Sequence, residues 1–186
     1  MNLFIGRNLK LFFRDKSAVF FSLLAVFIII GLYATFLGDA WVPRDMQDLP
    51  DTQFLMNSWL VSGLLSVASI TTTMGAFEVM ISDKVKKIDC DFYASPVKKS
   101  RLTAGYLGSA LAIGVIMSFV TFAVVEGYIV LRGGRLAGPQ AMLKTAGLIL
   151  LATMANTSLV CFMASFFKRQ QAFGTASTII GTLIGF

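Results

Sequence analysis

The stretch from Ser82 to Arg101 reads SDKVKKIDCDFYASPVKKSR and separates two long apolar runs, residues 54–81 and 102–131. It holds six of the sixteen basic residues and three of the ten acidic residues in a chain of 186 residues. Long apolar runs divided by a charged segment are typical of a chain that crosses a membrane, turns and crosses again. The stretch therefore predicts two membrane-spanning helices joined by a charged loop.

The composition of the whole chain also indicates a membrane protein. Hydrophobic residues make up 56% of the sequence and charged residues only 14%, whereas a soluble domain carries about 25% charged residues. The apolar residues also occur in continuous runs rather than in periodic stripes. We therefore predict an all-α integral membrane protein, a polytopic helical bundle that forms a single transmembrane domain over residues 1–186.

The lengths of the apolar runs predict the number of spans. A helix needs about 20 apolar residues to cross the hydrocarbon layer, and four full spans are predicted: residues 18–37, 54–81, 96–131 and 145–167. A fifth run, residues 172–186, would cover only about 22 Å as a helix. We expect it to be the start of a fifth span in a fragment of a longer protein; the less favoured alternative is a re-entrant segment.

The distribution of Lys and Arg predicts the orientation of these spans. With the N-terminus in the cytoplasm, twelve basic residues lie inside and four lie outside. The first outer loop, residues 38–53, contains four aspartates and one arginine, although the loop after the third span places three basic residues outside. The majority favours a cytoplasmic N-terminus.

The first sixteen residues, 1–16, form an amphipathic pattern. On a helix, Arg7, Lys10 and Arg14 face away from an apolar side that includes Phe12. Such a helix lies flat in the headgroup layer, with its basic face toward anionic lipid. We predict an interfacial helix that contacts the lipid bilayer; the alternative is a frayed basic segment leading into the first span.

Ionisable residues are absent from the predicted centres of the spans, which disfavours an ion-coupled transporter. Glu78 lies close to Asp83, near the cytoplasmic surface. Glu126 lies 25 residues after Arg101, about 37 Å along a helix, at the outer surface. There we expect it to pair with Arg132 or to face water.

The sequence also lacks the patterns of an enzyme. It contains no histidine and no phosphate-binding loop, so we expect no catalytic site, metal or cofactor in this chain. The polar residues within the spans are hydroxyls and amides. Thr71, Thr72 and Asn156 are candidates to line a transport path, although packing between helices is the safer default for such residues.

The charged stretch itself contains a pattern that a simple turn does not need. Ile81, Val85, Ile88 and Phe92 recur at i, i+4, i+7 and i+11, which predicts a short amphipathic cytoplasmic helix within residues 82–95. Ser95-Pro96 ends that helix and can begin the next one. The alternative is a loop whose positive charge only fixes the topology.

At these residues the sequence resembles the membrane permease subunits of type-2 ATP-binding-cassette (ABC) exporters. In that family the second span is followed by an acid beside a base, a short amphipathic segment, a break at proline, basic residues and a glycine-containing third span. The corresponding residues here are Asp83-Lys84, Ile88–Tyr93 (IDCDFY), Ala94-Ser95-Pro96, Lys98–Arg101 and Gly105–Gly108. Lys87-Ile88 stands where many members have Gly-Thr. In this respect the sequence resembles a Gram-positive-like subset of the family that is often associated with drug or bacteriocin export.

The resemblance implies six spans per subunit, a homodimer or heterodimer of permeases in the bacterial plasma membrane, and no nucleic-acid partner. It also implies a separate ABC ATPase, which would hold ATP and Mg²⁺. The segment after the second span would be a coupling helix that docks on this ATPase. The implied coupling residues are Asp83, Lys86, Lys87, Ile88, Phe92, Tyr93, Ser95 and Pro96.

The expected function is therefore ATP-driven export of an amphipathic cargo: a drug, an antimicrobial peptide or a lipid-linked compound. The alternative is a non-transporting immunity or sensor subunit that binds a cytoplasmic partner through the same loop.

Overall fold

The computed structural model describes residues 2–37, 52–88, 99–134, 136–167 and 169–185. These residues form helices and contain no strand. The α-helices are α1 (Asn2–Arg14), α2 (Lys16–Leu32), α3 (Thr52–Val85), α4 (Lys99–Leu131), α5 (Pro139–Phe166) and α6 (Gln170–Gly185), and a π-helical segment, Tyr33–Leu37, continues α2. Helices are the expected form of these apolar runs because a helix satisfies its own backbone hydrogen bonds inside a bilayer.

Three helices are long and apolar enough to cross a membrane: Phe54–Val85, Ser100–Leu131 and Pro139–Phe166. They confirm the prediction of an all-α membrane protein. The prediction of four full spans is not confirmed, because α2 has only 17 residues. A fourth span results only if α1 and α2 are counted as one span with a 71° bend.

Helix α3 lies at the centre of the bundle and packs against α4, α5, α6 and α2. Helices α3, α4 and α5 approach one another closely at Gly114, where an added Cβ would lie 2.7 Å from Thr153 Cγ2 and 3.1 Å from Thr73 Oγ1. Only a residue without a Cβ fits there, as is common where membrane helices cross closely.

Two apolar clusters form the core, one toward each end of α3. The first lies where α3 ends and α4 begins, and it includes Phe12, Phe77 and Ile113. The second lies where α3 begins and α4 ends, and it includes Leu64 and Val125. We call the part of the bundle around the first cluster the α1 end, because α1 packs there. We call the part around the second cluster the cavity end, because a cavity described below lies there.

The turn between α4 and α5 is built on two glycines at the cavity end. Gly133 adopts a left-handed backbone conformation with φ 77°, which ends α4 in the manner of a helix C-cap. The amide of Gly134 donates to the Ile129 carbonyl at 2.9 Å. The chain then returns to begin α5 at Pro139, a residue suited to the first turn of a helix.

Candidate functional site

Two polar sites stand out among the described residues, and the first surrounds Asp83 at the α1 end. The Asp83 carboxylate is only 4% exposed, although it belongs to the charged stretch of the sequence. It accepts hydrogen bonds from Arg7 Nη1 at 2.9 Å and Arg7 Nη2 at 3.1 Å, and one from Tyr106 Oη at 2.7 Å. We call these three residues the Asp83 cluster. It joins α1, α3 and α4 through one carboxylate.

Glycines of α4 form the surface on which α1 lies. An added Cβ on Gly105 would meet Phe4 Cδ1 at 2.6 Å, and one on Gly108 would meet Ile5 Cδ1 at 3.2 Å. The Phe4 ring meets the ring of Tyr106 edge to face, with centroids 4.9 Å apart. The small residues of the third predicted span therefore serve to seat the N-terminal helix.

A second polar contact fixes α1 further along its length. The Asn8 side chain is 1% exposed and donates from Nδ2 to Ser109 Oγ at 3.1 Å. The Ser109 hydroxyl donates in turn to the Tyr106 carbonyl at 2.8 Å. Because buried polar groups are favourable only when they are hydrogen-bonded, these contacts define one position for α1 on α4.

The helix predicted over residues 1–16 corresponds to α1, but the predicted placement of its basic face in the lipid headgroups is wrong for Arg7. Arg7 turns inward to Asp83, while Lys10 and Arg14 remain exposed. Phe12 is buried in the core against α3. The physical reason is that Asp83 offers a charged partner inside the bundle, which the amphipathic pattern of residues 1–16 alone does not reveal.

Helix α3 extends into the predicted coupling segment, residues 82–95. It continues through Asp83 to Val85, and Lys87 then takes a positive φ of 57°. The helix that carries Ile81 and Val85 therefore ends before Ile88, and Ile81 lies in the core. The left-handed turn at Lys87 stops the helix before the second half of the stripe is reached.

The remaining predicted coupling residues fall into two groups. Lys86 and Lys87 are exposed and Ile88 is half-buried, so this part of the loop is open to a partner. Asp83 is not open to a partner, since its carboxylate is enclosed by Arg7 and Tyr106. The other four lie outside the described residues: Phe92, Tyr93, Ser95 and Pro96.

The second polar site is a cavity of about 390 Å³ between α3, α4 and α5, at the cavity end. One wall is a stripe of serines on α3, continued by Ser118 and Glu126 on α4 and by Asn156 on α5. The serines of the stripe are Ser58, Ser62, Ser66 and Ser69. Their spacing of four, four and three residues follows one face of a helix, which is the sequence signal that could have identified this wall.

One of the three residues predicted to line a path lies at this cavity. Asn156 lines it and donates from Nδ2 to Ser69 Oγ at 2.9 Å. Thr72 is fully buried and donates to the carbonyl of Ala68, within its own helix. Thr71 is half-buried and lies close to Gly181 of α6. Neither threonine lines this cavity.

Glu126 is the residue of the cavity whose placement differs most from expectation. It is only 8% exposed, and its carboxylate accepts one hydrogen bond, from the Ala137 amide at 3.4 Å. Within the described ranges it does not pair with Arg132, which donates instead to Tyr128 Oη and to the Ala34 carbonyl. The expectation of a surface carboxylate paired with Arg132 or facing water is wrong, because the turn before α5 folds over it.

No group of three His, Cys, Asp or Glu side chains that could hold a metal ion occurs among the residues that the structure describes. Comparison with protein-family models, with curated proteins and with solved structures finds no match to this chain. The functional assignment therefore depends on the two sites and on the pattern of the charged loop.

Proposed function

We propose that this chain is the transmembrane permease subunit of an ABC exporter, and that a separate ATPase hydrolyses ATP and docks on the loop between α3 and α4. The chain itself would perform no chemistry. The observation that carries the proposal is the Asp83 cluster, because it joins α1, α3 and α4 next to the loop.

The cluster gives the loop a rigid base. The loop leaves α3 just after Asp83 and returns to α4 shortly before Tyr106, and these two residues are joined by a 2.7 Å hydrogen bond. The bidentate contact of Arg7 adds α1 to the same base. Bidentate arginine–carboxylate pairs fix direction as well as distance, so a displacement of the loop would move the adjoining ends of α1, α3 and α4 together.

The exposed part of the loop supplies the surface for the partner. Lys86 and Lys87 are exposed beside the rigid base, where they could meet an acidic surface and steer its docking. In the resemblance to ABC permeases, Phe92 and Tyr93 are the side chains that would enter the ATPase. The roles divide accordingly: an enclosed aspartate transmits movement, while the lysines and aromatic residues make contact.

The cavity supplies a place for cargo on the same helix. It is lined along α3 from Phe54 to Ser69, whereas the Asp83 cluster lies near the other end of α3. A tilt of α3 imposed at the loop would therefore change the shape of the cavity. In a dimer of permeases driven by ATP, this coupling would move an amphipathic cargo across the bacterial plasma membrane.

The proposal is tested by reconstituting the chain in vesicles with a candidate ABC ATPase from the same organism. We expect the two proteins to co-purify and the chain to stimulate ATP hydrolysis. The double substitution Phe92→Ala with Tyr93→Ala should abolish stimulation and transport while leaving the chain in the membrane.

A matched control is available in Phe20→Ala with Phe21→Ala. These are also adjacent aromatic residues, both more than half exposed and located on α2 rather than in the loop, so their removal should leave stimulation intact. Unchanged transport in the Phe92/Tyr93 variant would contradict the coupling role. Co-purification with a partner that hydrolyses no ATP would favour the immunity or sensor alternative instead.

A further inference from the structure

Several side chains that line the cavity present hydrogen-bond acceptors to a ligand. The hydroxyls of Ser58 and Ser62 donate to carbonyls of their own helix, at 2.8 and 2.9 Å. A hydroxyl whose proton is used in this way keeps lone pairs that can accept. The carboxylate of Glu126 is an acceptor in its ionised form. The ligand that matches this surface carries N–H donors.

The described part of the lining carries charge of one sign. Glu126 is the one ionisable residue among the described residues that line the cavity, and none of those residues is a lysine or an arginine. Its contact with the Ala137 amide, at 3.4 Å, is longer than the usual range for an N–H···O hydrogen bond. A carboxylate with so little compensation from the described residues is unfavourable inside a membrane protein, and a cationic ligand would supply a countercharge.

A second polar group in the same wall lacks a partner. Ser118 lines the cavity and is 1% exposed, and its hydroxyl makes no hydrogen bond within the described residues. Buried hydroxyls are usually hydrogen-bonded. Ser118 and Glu126 are thus two polar groups on α4 that line the same cavity, one without a hydrogen bond among the described residues and one with a single long hydrogen bond.

Size and apolar lining separate an organic ligand from a metal ion. The volume of about 390 Å³ falls within the range of roughly 300–1,000 Å³ for small-molecule sites. Phe54, Phe122 and Leu148 contribute apolar walls, and aromatic faces also attract organic cations. An inorganic cation would instead need a shell of oxygen ligands.

We propose that this cavity binds an organic cation of drug size, an amphipathic amine whose charged nitrogen lies at Glu126 and whose apolar body lies along the wall that includes Phe122. The inference rests on the proposed function insofar as it names the class of cargo, while binding itself requires neither ATP nor an ATPase.

Ethidium is a suitable probe because it is a fluorescent organic cation with amino donors. Fluorescence anisotropy with the purified chain in lipid nanodiscs should show saturable binding. Glu126→Gln should weaken this binding at least about tenfold, since it removes the charge and keeps the shape. The control is Glu78→Gln, a carboxylate on α3 that does not line the cavity, and it should leave binding unchanged.

Two further measurements test the inference if Glu126→Gln does not fold. Ser66→Leu keeps the carboxylate but fills part of the cavity, and it should also reduce ethidium binding. Fluorescein, an anionic dye, should not bind the unaltered protein at the concentrations that saturate with ethidium. Absence of saturable ethidium binding, equal binding of both dyes, or equal ethidium affinity in folded Glu126→Gln and the unaltered chain would each overturn the inference.

The outcomes also separate this inference from the proposed function. Ethidium binding that depends on Glu126, without ATP-driven transport in the reconstituted vesicles, would retain the cation site and reject the exporter. Transport driven by ATP without any binding of organic cations would retain the exporter and reject the cation site.

Discussion

The two ends of the bundle each contain a buried carboxylate, and the two carboxylates differ in the number of hydrogen bonds that they accept. At the α1 end, Asp83 accepts two bonds from Arg7 and one from Tyr106. At the cavity end, Glu126 accepts one long bond from a backbone amide. A carboxylate surrounded by donors is suited to holding helices together, whereas one left without them is suited to receiving a ligand. We therefore call Asp83 the structural acid and Glu126 the binding acid of this membrane domain.

The largest expected effect comes from removing the structural acid. Asp83→Ala leaves the Arg7 guanidinium and the Tyr106 hydroxyl without their acceptor, which typically costs about 3–5 kcal/mol for a buried pair. Chemical unfolding of the purified protein in detergent micelles should show a loss of this order. The exposed Lys86→Ala is the control and should stay within about 0.5 kcal/mol. An Asp83→Ala variant as stable as the control would remove the distinction between the two ends.

A smaller loss is expected when only the neutral donor of the cluster is removed. Tyr106→Phe keeps the ring that packs on Phe4 and deletes the 2.7 Å hydrogen bond to Asp83. Hydrogen bonds to charged groups contribute about 1.5–3 kcal/mol, so the free energy of unfolding should fall by this amount. Combined with Asp83→Ala the substitution should add almost nothing, because the two residues share one interaction. Additive losses would show that the contact is not energetically coupled.

Packing of α1 on α4 is expected to contribute less. Gly105→Ala places a Cβ 2.6 Å from the Phe4 ring and should cost about 1–3 kcal/mol for overpacking, partly offset by about 1 kcal/mol of helix propensity. Limited proteolysis should then release the N-terminal helix faster. Gly127→Ala is the matched control on the same helix, since its added Cβ meets nothing within 4 Å. Equal proteolysis of both variants would contradict the docking of α1.

The smallest effect on stability is expected at the binding acid. Glu126→Gln removes a charge that has little compensation and keeps its shape, so the free energy of unfolding should be unchanged or should rise by a few tenths of a kcal/mol. The same unfolding titration used for Asp83→Ala measures it. A loss as large as that of Asp83→Ala would show that Glu126 is also a structural acid.

The sequence was sufficient for the helical class of the fold, because an apolar run of span length has few alternatives to a helix in a bilayer. It also pointed to the amphipathic helix α1. It did not reveal the contact between Arg7 and Asp83, because the two are 76 residues apart and each has a plausible role at a membrane surface. Long-range pairs of this kind require the three-dimensional arrangement.

The cavity illustrates a different limit of sequence reasoning. The serine spacing on α3 was present in the sequence, yet a serine stripe is equally compatible with packing between helices. The burial of Glu126 depends on the turn at Gly133, which places the Ala137 amide over the carboxylate. Distance along a helix placed the residue at the correct end of α4, but it could not show that the next segment covers it.

The contact of α1 with α4 also constrains the order in which the helices can assemble during synthesis. Asn8 precedes its partner Ser109 by 101 residues, which corresponds to roughly 5–20 s of translation. Over that interval α1 lacks its contacts with α4, and its amphipathic face is suited to resting on the membrane surface. Docking of α1 is therefore a late step of assembly, one that must wait until α3 and α4 have been inserted.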